Sequence, residues 1–276
     1  MTQERTLVDF IKNQYIWLIL VFGLFVGTVF IFLVPPWMHY DEPGHFEYAW
    51  LIANRPGLPS RGDYDQAMRR EVSASIIEVG IEDFTSMKTD PMEIDERIEI
   101  FLPVVEDHPP TYYLLVALPL WIFRHSELTF QLYLARFVSL ILFLILVWVG
   151  YRVSKEIFGE GHPVTWMVPL FLVTLPSFVD IMTAVNNDAA ANLAFGLFIW
   201  ASVLVIKEGL GNFRLPKMLG AVALCLLTKS TALLAVPLAL IVLLLALVNK
   251  RGGGWAWLVF GLGILSLVAL SISWGE

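Results

Sequence analysis

Apolar residues run almost unbroken from Tyr15 to Val34, and the same pattern returns at 131–151, 164–181, 187–206, 231–249 and 255–274. A helix needs ~20 predominantly apolar residues to cross a bilayer, so each run predicts a span. The stretch 215–227 is shorter, and Lys217 extends it by carrying its charge to the interface on an apolar stem. Pro110–Phe123 opens on a double proline and is too short to cross, which predicts an interfacial or re-entrant helix.

A long loop separates the first two spans. Within it, apolar positions at Phe46, Ala49, Trp50, Ile52 and Ala53 predict a short amphipathic helix lying along the membrane. Pro43 opens it, and Asn54, Pro56 and Gly57 close it. A second helix is expected from Asp65 to about Val79, with Ala67, Met68, Val72 and Ile76 on one face. Residues 81–101 are charged and weakly periodic, and predict no firm element.

Composition agrees with the spans. The chain is 57% hydrophobic with a mean hydropathy of +0.70, which defines an all-α polytopic membrane protein. The single cysteine, Cys225, lies inside an apolar run, so neither a disulfide framework nor a thiolate metal site is expected. The net charge of −7 is unevenly spread: 35–108 holds sixteen acids and six bases, which makes one loop acidic and argues against nucleic-acid binding.

Basic residues set the sidedness, because Lys and Arg accumulate on the cytoplasmic side. If 110–123 does not cross, Arg5, Lys12, Arg152, Lys155, Lys207, Arg214, Lys217, Lys250 and Arg251 all fall on one side. This gives seven spans, a cytoplasmic segment 1–14, and an external stretch 35–130 that includes juxtamembrane helices. The first apolar run lacks a small-residue cleavage site and reads as a retained anchor.

Candidate chemistry gathers on the outer face. Asp41 and Glu42 follow the first span directly and cap the positive end of the next helix. A carboxylate beside a membrane-embedded cleft suits a general base; a plain helix cap is the alternative. His45 lies one turn after Glu42, and His108 opens the proline-started helix. Arg136 sits near the outer end of the second span, where its fork suits phosphate oxygens or its charge snorkels. Asn187, Asp188 and Lys229 interrupt apolar sequence at outer span ends, as a phosphate site or as an ion pair fixing helix packing. Asp41, Glu42, His45 and His108 could group around a divalent metal, yet their spacing matches no metal motif. No cofactor is expected.

In order, these features are an Asp-Glu pair after the first span, His-Pro-Pro-x-Tyr-Tyr, x-Ala-Arg-Phe-x-Ser, an Asn-Asp turn and Thr-Lys-x-Thr. Together they resemble the GT-C membrane glycosyltransferases, in the protein O-mannosyltransferase and aminoarabinose-transferase branch with related bacterial membrane proteins. The resemblance covers the chain from Tyr15 onward. It implies a seven-span module in a bacterial-type plasma membrane and transfer from a polyprenyl-phosphate sugar, with inversion, at the outer face. Asp41 is then the base, Glu42 its partner in positioning, and Arg136 a contact to the donor phosphate. His45, His108, Asn187, Asp188 and Lys229 join as donor or substrate contacts. Family members usually continue with further spans or an external domain that helps form the acceptor site. This chain is therefore expected to be a fragment, half of a split enzyme completed by a partner chain, or a non-catalytic scaffold subunit. A transporter fits less well, because ionisable residues gather at one face rather than along a mid-membrane path.

Overall fold

The computed structural model describes residues 2–78, 80, 108–211 and 213–251. The expected last span, 255–274, and the charged stretch 81–101 lie outside them. Among the described residues all regular structure is helical. In chain order the helices are α1 (Thr2–Leu33), α2 (Glu42–Asn54), α3 (Gln66–Glu78), α4 (Thr111–Ile122), α5 (Leu128–Phe158), α6 (Val164–Thr174), α7 (Pro176–Thr183), α8 (Asp188–Glu208), α9 (Arg214–Leu226) and α10 (Ala235–Arg251). A 3₁₀ turn, Ser230–Leu234, leads into α10.

Four stretches are long and apolar enough to cross a membrane: Tyr15–Leu33, Leu128–Phe158, Asp188–Glu208 and Ser230–Val248. The expected span 164–181 is broken. Its helices α6 and α7 meet at 67°. Pro176 causes this, since its ring and missing N–H prevent the preceding turn from continuing. The expected span 215–227 appears as the 13-residue α9, about 20 Å long and too short to cross by itself. Helix α4 is likewise short, as its prolines predict.

The long α5 organises the bundle. Helices α1, α4, α6 and α8 pack along it, and α9 and α10 pack on α8. Glycines bring α1 close: a Cβ at Gly23 would lie 2.8 Å from Val173 Cγ1, and one at Gly27 would collide with Leu140. Without a hydrophobic force between helices in lipid, small residues at the seam give backbones the contact that holds them.

Helix α2 departs from the expected one-sided helix. Phe46, Tyr48, Ala49, Leu51 and Ala53 are buried, and so are His45 and Glu47. Two elements cover it. Helix α4 packs along α2, while α3 is tied to it by a two-pronged pair in which Arg69 Nε and Nη2 donate to Glu47 Oε1 and Oε2, both at 2.7 Å. Asp65 caps α3 as expected, its Oδ1 accepting the Met68 N–H at 3.0 Å.

Candidate functional site

The last carbonyls of any helix have no partner inside it. At the end of α1 a side chain from α5 meets that need. Arg136 Nη1 donates to the carbonyls of Ile31 at 2.7 Å and Val34 at 2.8 Å, and Nη2 donates to that of Pro35 at 2.9 Å. The other two N–H groups go to Glu42: Nε to Oε1 at 2.9 Å and Nη2 to Oε2 at 2.6 Å. All five guanidinium hydrogens are therefore used. Both side chains are fully buried, at 0% exposure. Glu42 Oε1 also accepts the Val185 N–H at 3.2 Å, which ties the α7–α8 turn into the same knot.

This corrects the expectation for Arg136. It leaves no N–H for a donor phosphate, and it does not snorkel. A charge buried at this depth persists because it is paired and fully hydrogen-bonded.

Asp41 stands directly beside this knot and takes no part in it. Its backbone is left-handed (φ 54°, ψ 13°) and its side chain makes no capping bond. Only its carbonyl serves α2, accepting the His45 N–H at 3.2 Å. Among the described residues the half-exposed carboxylate has no hydrogen bond or ion pair. The capping role expected for Asp41 is absent. Left-handed backbone is uncommon outside glycine, though Asp is among the residues that tolerate it.

One turn further, His45 Nδ1 and the Tyr113 hydroxyl share a 2.7 Å hydrogen bond. The rings of His108, His45, Tyr113 and Tyr48 form a stacked column, with successive centroids 5.6, 5.9 and 4.2 Å apart. Burial, reinforced by His108 and then Lys229, pushes His45 down to about 3. It is therefore neutral at physiological pH. The influence of Lys229 on His45 also places the third cluster at this end of the bundle.

In that cluster, Lys229 Nζ donates to Asp188 Oδ1 at 2.7 Å, with both side chains partly exposed. Asp188 is the first residue of α8, where the helix dipole favours a negative charge. Asn187 is fully buried and its Nδ2 reaches the Thr228 carbonyl at 3.5 Å, but its Oδ1 has no partner among the described residues. Among the described residues no three His, Cys, Asp or Glu side chains come together as a metal site.

Several supporting residues escape a reading of sequence. Tyr112 is fully buried; its hydroxyl pairs with Ser139 at 2.7 Å and accepts the Asn186 N–H at 3.0 Å. His39 is buried with its Nδ1 3.0 Å from Asp180 Oδ1, although the ring is not aligned for a hydrogen bond. Tyr112 was visible only as half of a Tyr-Tyr pair. His39 carried no signal at all.

The neutral state of His45 has a consequence for stability. An unfolded histidine titrates near 6.5. The folded value lies lower, so the native state resists protonation, and its stability falls as pH drops from about 6.5 towards 3. The loss should be on the order of a few kcal/mol at most. Thermal unfolding in detergent at pH 7.5, 5.5 and 4.5 should show this slope, and His45→Gln should flatten it relative to the parent.

An all-helical integral membrane protein with a polar constellation at one end of its bundle is the class these features define. A family model described as dolichyl-phosphate-mannose-protein mannosyltransferase matches residues 107–274, and the chain belongs to that family. It is a membrane glycosyltransferase of the GT-C type. No curated protein and no solved structure matches it. The match includes His108, Arg136, Asn187, Asp188 and Lys229; Asp41, Glu42 and His45 precede it.

Proposed function

We propose that this protein transfers a sugar from a polyprenyl-phosphate donor to an acceptor hydroxyl at the outer face of a plasma membrane, with inversion. Residues 15–276 form the transferase module, and 1–14 is its cytoplasmic amino-terminal segment. The observation that carries this reading is the Asp41 carboxylate, partly exposed, unpaired among the described residues and anchored through Glu42.

In the proposed step Asp41 takes the proton from the acceptor hydroxyl. The hydroxyl oxygen attacks the anomeric carbon from the side opposite the phosphate. The carbon–oxygen bond to phosphate breaks, and polyprenyl phosphate leaves with the bonding pair. A phosphate is already a good leaving group, so positioning and removal of one proton are the main tasks.

Lys229 takes the phosphate charge, since only one of its three N–H groups is spent on Asp188. Asp188 aims it. His45, which is neutral, and His108 form a wall for the sugar, and Asn187 Oδ1 accepts from one of its hydroxyls. Arg136 acts through Glu42 as a positioning residue. A partner chain would complete the acceptor side.

The test is transfer by sealed vesicles from radiolabelled polyprenyl-phosphate sugars, mannose first, with acceptor supplied only from outside. Lys229→Gln should raise the donor KM about tenfold or more, as loss of a charge-assisted contact predicts. No transfer by the parent from any donor would sink the proposal. Stoichiometric protein subunits in the same preparation would then favour a scaffold role.

A further inference from the structure

At the far end of α5 a second cationic feature stands apart from the Asp41 site. Arg136 and Arg152 lie on the same helix about 24 Å apart along its axis. The Arg152 guanidinium sits 5.3 Å from the Trp148 ring centre and 4.6 Å from that of Trp200 on α8. The two indoles meet edge to face, with centroids 5.5 Å apart at 88°, and form a corner around it. Aromatic faces attract the flat face of a guanidinium, while its N–H groups point outward in the plane.

Those N–H groups are unspent. Among the described residues Arg152 makes no hydrogen bond, and its one carboxylate neighbour, Glu156, stays 3.6 Å away. Other charges at this end are accounted for differently. Lys155 pairs with Glu160 and Arg214 with Glu208, both at 2.5 Å. Lys207 donates to the Glu156 main-chain carbonyl, and Lys217 is exposed. Positive charge is left in excess around Arg152.

The surface leading to it is apolar. Ile141, Ile145, Trp148 and Arg152 follow one another at helical spacing, so they form one stripe on α5. Ile141 is 57% and Ile145 42% exposed. A hydrocarbon stripe about 16 Å long thus ends at a stacked arginine with open N–H groups.

We propose that this corner binds an anionic phospholipid, its phosphate on the edge of Arg152 and an acyl chain along Ile145 and Ile141, in the leaflet opposite the Asp41 site. Glu156, at 3.6 Å, leaves the N–H edge of Arg152 open to a second anion, and the lipid phosphate supplies it. The fork of arginine grips two phosphate oxygens at once. A free phosphate would use the arginine but not the stripe.

The test is native mass spectrometry of the purified protein in detergent, offered equal amounts of phosphatidylglycerol and phosphatidylcholine. The parent should retain phosphatidylglycerol over phosphatidylcholine by about tenfold. Arg152→Gln should bring the ratio near one. Lys217→Gln, the same charge loss on exposed α9, should leave it unchanged. Arg152→Lys covers the case of a poorly folding glutamine variant: it keeps the charge, loses the fork, and should still lower the preference. Millimolar inorganic phosphate should not displace the lipid. Parent-like retention by both Arg152 variants overturns the site. An equal loss in Lys217→Gln would mean diffuse attraction, and displacement by inorganic phosphate would mean a soluble-anion site; either result overturns the proposal.

Discussion

Asp41→Asn is expected to lose sugar transfer by about 10²–10⁴-fold, the usual contribution of a general base, while unfolding at the temperature of the parent. The sequence alone leaves two roles for this residue, base or helix cap, and asparagine caps about as well as aspartate. Geometry removes the second role, because the side chain makes no capping bond. Asparagine also accepts left-handed backbone readily, so the Asp41 conformation (φ 54°) survives the change. What disappears is the proton acceptor. Transfer and thermal unfolding are measured side by side on equally expressed proteins. Unchanged transfer would remove Asp41 as the base; lost transfer with lost stability would assign it a structural role.

The second large effect is expected at Arg136, and it is an effect on folding. Arg136→Gln should cost about 3–5 kcal/mol, since removing one partner of a buried pair leaves the other charge uncompensated. The variant is expected to express poorly and to unfold far below the parent in a detergent melt. Glu42→Gln should cost less. It keeps the volume and an oxygen for Val185, and Arg136 keeps three carbonyls. Replacing both residues by apolar ones of similar size should not restore stability, although such exchanges often do. The Ile31 carbonyl would stay buried without its donor, at a cost of about 1–3 kcal/mol, and the part-buried carbonyls of Val34 and Pro35 would lose theirs. A double apolar variant as stable as the parent would show that those carbonyls find other partners.

Much of the fold was legible because its determinants are local. Apolar length announces a span, and Asp65 and Pro43 mark helix starts within a few residues of where they fall. Bends and burial were less legible. Pro169 and Pro176 both lie in the expected third span, yet the break is at Pro176, where α6 gives way to α7; Pro169 stays inside its helix. Helix α2 has the spacing of a one-sided helix, but neighbours from distant sequence enclose it. The site divided the same way. Its location at one end of the bundle followed from where polar residues interrupt apolar runs. The role of Arg136 did not, because a fork that suits phosphate also suits a carboxylate and three helix-end carbonyls. The partners decide, and they lie about a hundred positions away.

That separation orders the birth of the site. Glu42 and Arg136 are 94 residues apart, and the bond from Arg136 to Ile31 spans 105. While the chain is being made, α1 and the Asp41 loop emerge long before α5 is available. Until α5 is in place, the end of α1 has only water for its carbonyls, and Glu42 remains an ordinary solvated acid. Val185, which also binds Glu42, arrives later still. The left-handed turn at Asp41 is thus held by pieces synthesised after it, so a nascent chain released before residue 185 would carry the proposed base without the frame that aims it.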